Sequence, residues 1–172
     1  MSVLISFSGL PGVGKTTVAR ALAGEVSAVY VRVDSIEAAL KNSRLQIHPA
    51  EDAGYLAAVA VAKDNLAIGL DVVADTVNPI GVTRNWWAQA ALASNARLLN
   101  VEIICSDHAE HTRRIEQRRS DIAGLDLPDW NSVQRRGYEV WSEARVLLDS
   151  SKMSVNGCVK RIVEAIATLE CD

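Results

Sequence analysis

The sequence predicts an α/β fold, a parallel sheet covered by helices on both faces. Three observations carry that expectation. Short apolar runs alternate with helical segments along the chain, a glycine-rich turn separates the first apolar run from the first helix, and acids close the next two runs. Strands that are apolar on both faces belong to sheets buried on both sides. Ligands of such sheets sit beyond the carboxyl ends of the strands, where Gly9, Asp34 and Asp75 all fall.

Each element follows from its residues. Val3–Ser8 reads as the first strand. Val29–Val33 is the second, ending at Asp34, with a helix from Ser35 to about Lys41 and a loop over 42–49. Glu51 to Leu70 is Ala-rich and apolar at helical spacing, which predicts a long buried helix ended by Gly69 and Asp71. Val72–Asp75 is a short third strand, and 83–95 a helix. Leu98–Cys105 is the fourth strand, and Asp107 is a good N-cap for a helix to about Arg119. Residues 120–131 carry Gly124 and Pro128 and read as a loop. A helix over 132–142, a fifth strand Arg145–Asp149 and a closing helix 155–169 complete the pattern.

A chain of 172 residues with 49% hydrophobic and 23% charged residues suits one domain, residues 1–172, with a sizeable core. Its net charge of −3 disfavours general nucleic-acid binding, which selects basic surfaces, and leaves only a local basic groove open. Cys105, Cys158 and Cys171 form no C-x-x-C pair. Cys105 in its apolar run is expected to be a buried free thiol, and a reducing, cytoplasmic compartment fits best. The first strand starts at Val3, leaving no room for a signal peptide, and no apolar run approaches membrane-spanning length.

The most specific segment is Gly9-Leu10-Pro11-Gly12-Val13-Gly14-Lys15-Thr16-Thr17, which fits the phosphate-binding loop pattern G-x-x-x-x-G-K-[ST] without mismatch. Glycines let successive N–H groups turn inward toward a β-phosphate. Lys15 would reach the β- and γ-phosphates, the Thr16 hydroxyl would hold Mg²⁺, and the N-terminus of the following helix adds its dipole. The nucleotide-binding set is therefore Gly9, Gly12, Val13, Gly14, Lys15, Thr16 and Thr17. Asp75, closing the third strand, is placed to bind Mg²⁺ with Thr16. Asp34, closing the second, could accept a hydroxyl proton or simply cap the next helix.

The helix from His108 to Arg119 is basic, with Arg114 and Arg118 four apart on one face. With the loop behind it, over about 108–131, it could close as a lid and set guanidiniums against a transferring phosphoryl group. Arg135 and Arg136 are later candidates for the same task. Asn78 and Arg84 either line the crevice or serve as a turn residue and a helix-surface arginine. His108, Glu110 and His111 have i, i+3 spacing and no third ligand, so surface histidines are expected rather than a metal site. Trp86, Trp87, Trp130 and Trp141 are expected to pack rather than stack on a base.

With these residues in place, the chain resembles small P-loop kinases of the AAA-type ATPase/kinase-like group. That group is related to chloramphenicol phosphotransferase, zeta-toxin and the kinase domain of polynucleotide kinase. The glycine-rich loop is the specific part. Val33-Asp34-Ser35-Ile36, Asp75 with Asn78, Arg114-x-x-x-Arg118, and Leu125–Trp130 followed by Tyr138-Glu139-Val140-Trp141 carry the rest. The resemblance implies a three-layer P-loop NTPase fold, a five-stranded parallel sheet in order 2-3-1-4-5, and an arginine-bearing lid before a Tyr-Glu-x-Trp helix. It also implies ATP·Mg²⁺ as donor and a hydroxyl as acceptor, and a small hydroxylated molecule is the leading expectation for that acceptor. Lys15, Asp34, Arg114 and Arg118 are the expected catalytic residues, and Thr16 and Asp75 the metal ligands. Several relatives, polynucleotide kinases among them, carry arginine three residues after the first acid; here that position is Glu37. This weakens a 5′-hydroxyl polynucleotide kinase and favours a neutral or cationic acceptor. A nucleotide-gated regulatory ATPase with little turnover is the alternative of a different class.

Overall fold

The computed structural model describes residues 1–169, so Cys171 lies outside the described residues. Five parallel strands, β1 (Val3–Ser8), β2 (Val29–Arg32), β3 (Val72–Asp75), β4 (Arg97–Ile104) and β5 (Val146–Asp149), form one sheet in the order β2-β3-β1-β4-β5. β1 and β3 are buried at every position. Burial on both faces is why they read as continuous apolar runs rather than alternating ones.

Helices cover both faces. α1 (Lys15–Glu25) and α7 (Val155–Leu169) close one core, in which Ile5, Phe7, Val18, Leu22, Val101, Ile103 and Ile162 pack together. α3 (Ala53–Ala67) and α4 (Gly81–Ala93) close the other, around Leu4, Val31, Leu66, Val72 and Trp87. β1, β2 and β3 therefore send alternate side chains into different cores, whereas Leu147 of the edge strand β5 is exposed. α2 (Val33–Asn42), α5 (His108–Gln117) and α6 (Trp130–Arg135) lie toward the carboxyl ends of the strands. Among the described residues no helix is long and apolar enough to cross a membrane.

Three sequence expectations shift. β2 stops at Arg32, and Val33 and Asp34 open α2. Asp34 thus lies in the first helical turn, and its side chain caps nothing. The helix expected over 132–142 ends at Arg135, and 138–145 has no regular helix. The cause is long-range. The Arg84 guanidinium donates to the carbonyls of Asn78 (3.1 Å), Pro79 (3.4 Å), Glu139 and Val140 (3.3 Å) and lies over the Trp141 ring, 4.2 Å from its centroid. The Glu139 and Val140 carbonyls thus find a buried cation instead of helical partners. Finally, Cys105 falls just past β4 and is only half-buried, while Cys158 is buried; both are free thiols.

Candidate active site

A cleft of about 730 Å³ opens at the carboxyl edge of the sheet. Its floor is the glycine-rich loop. Gly12 has φ +81°, and a Cβ there would lie 2.5 Å from the Ile115 side chain of α5. Gly9 has φ +134° and sits 2.2 Å, measured to a Cβ, from the Ile103 carbonyl. Both positions need glycine for conformation and for space. Gly14 adopts a left-handed conformation at the α1 N-cap and makes no side-chain cap bond. The first-turn N–H groups of α1 are therefore left for an anion. Gly12, Gly14, Lys15, Thr16 and Thr17 line the cleft. Gly9 and Val13 do not. Gly9 donates to the Val77 carbonyl (3.1 Å), and Val13 packs in the core, so these two shape the loop rather than line the cleft with side chains.

α5 braces the loop from outside. His111 is buried, not a surface histidine as its spacing suggested, and its Nε2–H donates to the Pro11 carbonyl at 2.8 Å. Trp130 sets its ring edge-on to His108 and His111. Glu110 is taken by Arg113 and Arg114, each at 2.7 Å. Among the described residues no three His, Cys, Asp or Glu side chains converge on a metal site. None of the four tryptophans lines the cleft.

Lys15 is 8% exposed, and its ammonium donates to the Leu10 carbonyl at 2.8 Å. Burial lowers its pKa to about 8, against the opposing pull of Asp75 and Asp34, while Arg118 and Arg136 push the same way as burial. A lysine held there short of counter-charge is poised for an anion. Asp75, 4% exposed, accepts from the Tyr30 hydroxyl at 2.6 Å and lies 3.8 Å from the Arg32 guanidinium. Asp75 and Thr16 line the same cleft and offer one carboxylate and one hydroxyl. That donor set suits Mg²⁺ completed by phosphate oxygens and water, and it suits no metal held by protein alone.

On one side of the loop the wall is Ser150, Met153, Val155 and Cys158, next to Arg114, whose guanidinium donates to the Ser150 hydroxyl at 2.8 Å. On the other side it is Asp34, Glu37, Glu51 and Tyr55, with Leu125–Pro128 above. Burial first, and the charge of Asp34 second, raise the Glu37 carboxyl to about 6. Arg118, at the C-cap of α5, also lines the cleft, and so does Arg136, whereas Arg135 does not. Asn78 and Arg84 are structural. Asn78 is fully buried, donates to Ser6 and Phe7 (2.9 Å each), and accepts from the Trp87 indole at 3.1 Å. Tyr55, on α3, and Glu51, in the segment before it, carry no sequence signal; only the packing of that stretch beside α2 brings them to the cleft.

A central β1 feeding a glycine-rich loop and helix, flanked by β3 and β4 in a 2-3-1-4-5 sheet, defines a P-loop NTPase of the small-kinase type of fold. Residues 4–136 match the AAA domain family AAA_33, and the chain belongs to that family. No curated protein matches the sequence. Among solved structures, the Mycobacterium tuberculosis APS kinase CysC, in complex with AMPPNP and APS, has a TM-score of 0.70 at 14% identity, covering 96% of this chain and 98% of that one. Chaetomium thermophilum Kti12, in complex with ADP-AlF3, has 0.70 at 21%, covering 95% and 98%. A gluconokinase from Sinorhizobium meliloti has 0.65 at 18%, covering 98% and 92%. At these identities the likeness is one of fold.

Proposed function

We propose that the chain is an ATP-dependent phosphotransferase that moves the γ-phosphoryl group to a hydroxyl of a small molecule. One observation carries this reading: a single cleft runs from the P-loop lysine to the unpartnered carboxylate of Asp34. In the proposed division of labour, the P-loop amides and Lys15 hold the β- and γ-phosphates, and Arg118 and Arg136 face the charge that spreads over the transferring group. Arg114 is already committed to Glu110 and Ser150, so its part is to brace the loop beside Gly14. Thr16 and Asp75 would hold Mg²⁺, which supplies charge neutralisation to the phosphate oxygens when bound. Asp34 orients the acceptor hydroxyl and takes its proton as the new P–O bond forms. ATP-analogue complexes of two fold relatives support the nucleotide assignment.

The acceptor end favours a neutral or cationic molecule. Asp34, Glu37 and Glu51 bring three carboxylates to that wall. Lys41 is engaged with Asp126 at 2.5 Å, and Arg136, the cation that acts on Glu37, is the one assigned above to the transferring phosphoryl group. A polyanionic acceptor, such as a nucleic acid end, would meet like charge. The test is ADP release with ATP and Mg²⁺ over sugars, nucleosides, amino alcohols, aminoglycosides, amphenicols and 5′-hydroxyl oligonucleotides. Lys15→Ala protein serves as blank. A hit absent from the blank establishes the transferase and its acceptor class. ATP binding without any stimulated turnover would replace it with the nucleotide-gated regulatory reading.

A further inference from the structure

Arg32 ends β2 and is paired in register with Asp75 at the end of β3. Side chains opposite one another in a parallel pair share a face, so the guanidinium and the carboxylate emerge side by side. Only 6% of Arg32 is exposed, and a buried cation needs a counter-charge within hydrogen-bond reach. Asp75 does not supply it. Its Oδ2 lies 3.8 Å from Arg32 Nε, that nitrogen has no hydrogen-bond partner, and the same Oδ2 is occupied by the Tyr30 hydroxyl. The counter-charge comes from the lid. Asp121, in the segment after α5, accepts two bonds from Arg32 Nη1 (3.0 and 3.1 Å) and a further one from Arg20 of α1. These bonds, Arg20 first and Arg32 second, hold the Asp121 carboxyl down at about 2. The same segment is tied to α2, where Asn42 donates to the Ala123 carbonyl at 3.1 Å and Lys41 pairs with Asp126.

We propose that Arg32 couples lid docking to the metal acid. With Asp121 on the guanidinium the lid is latched and Asp75 is left for Mg²⁺. When the lid lifts, the buried guanidinium loses that partner and turns to its remaining neighbour, Asp75, in competition with Mg²⁺. Lid closure and Mg²⁺ binding then favour each other, as linkage requires of any such coupling. Arg32 and Asp121 are positioning residues in this scheme, acting through Asp75. Surface ion pairs are weak when both partners are solvated; this one differs because one partner is buried and has no substitute other than the metal acid.

The test uses two readouts that do not depend on phosphoryl transfer. The first is trypsin cleavage after the exposed Arg119, two residues before Asp121, in ligand-free protein. Asp121→Asn is expected to speed it about 10-fold through local opening, and Asp121→Glu to leave it near wild type. The second is calorimetric titration of Mg²⁺ into protein saturated with ADP. Asp121→Asn is expected to weaken Mg²⁺ about 10-fold, and adding Arg32→Met to that variant to restore it, since the competing cation is gone. Unchanged cleavage in Asp121→Asn overturns the latch. Faster cleavage with unchanged Mg²⁺ affinity overturns the coupling. A double variant that folds yet stays weakened shows that the effect does not run through Arg32, and overturns it too. If the wild type fails to bind ADP at all, the kinase reading and the coupling fall together, and the trypsin arm alone still decides the latch.

Discussion

The two ends of the cleft are built from different materials. The P-loop end is made of backbone: left-handed glycines, an uncapped helix start, and one buried lysine whose surroundings are fixed by the sheet beneath. The other end, where we propose the acceptor binds, is made of side chains: Asp34 and Glu37 of α2, Glu51 just before α3, Tyr55 of α3 and Arg136 at the C-cap of α6. A backbone site recognises what every phosphate shares. A side-chain site can be altered residue by residue without disturbing the loop. Under the proposed function, the contrast would give affinity for the nucleotide to one end and choice of acceptor to the other.

The largest effect should come from Lys15. Lys15→Ala is expected to lower transfer by at least about 10³-fold, the upper range for deleting one preorganised charge contact, while circular dichroism stays native. Full activity in the folded variant would remove the P-loop from the chemistry. Next comes Asp34→Asn, which keeps shape but not basicity. It is expected to slow transfer about 10²-fold with unchanged ATP affinity, the size of a lost general base. An unchanged rate would show that the acid serves the start of α2 alone.

A smaller change separates acceptor choice from catalysis. Glu37 is raised to about 6 in the folded chain. The native state therefore holds its proton more firmly than the unfolded chain. The resulting stability is present at low pH and is lost as pH climbs from about 4.5 through 6. Ionisation over the same window should improve KM for a cationic acceptor, by up to about 10-fold on the scale of one close charge pair. Glu37→Gln should flatten that pH dependence and leave kcat alone. A KM that ignores pH in the native enzyme would count against a cationic acceptor.

The smallest effect is a fraction of a proton. With Lys15 at about 8, nucleotide phosphates restore the full ammonium and should drive proton uptake near pH 8. Calorimetry in buffers of different ionisation enthalpy would read it, and Lys15→Met should abolish it. The unfolded chain keeps its lysine proton to higher pH, so ligand-free protein should gain stability as pH rises from about 8 toward 10.5. No such gain would show that burial leaves the ammonium undisturbed.

Short-range signals made much of this legible in the sequence. The strands announce themselves by short, mostly apolar runs, the P-loop by its glycines and lysine, and Asp75 by closing a strand. The contacts that escaped are those made by residues far apart in the chain. Tyr138–Trp141 looks helical by composition, and Arg84, more than fifty residues earlier, draws its carbonyls away. His111 looks like a surface residue on a basic helix until α5 is packed on Pro11. Glu51, Tyr55 and Asp121 carry no local pattern at all; the packing of the stretch around α3 and of the segment after α5 places them.

The strand order also dictates when the site can exist. Among the described residues, β1 pairs with β3 and β4 alone, and β2 with β3 alone. A chain emerging from the ribosome as far as Leu70 holds the whole glycine-rich loop and both β1 and β2, yet neither strand has a partner. Pairing must wait for Val72–Asp75, and the wall behind Gly9 for Ile103. The phosphate-binding segment thus waits for strands synthesised well after it, and nucleotide can stabilise the nascent chain only once β3 and β4 have joined β1.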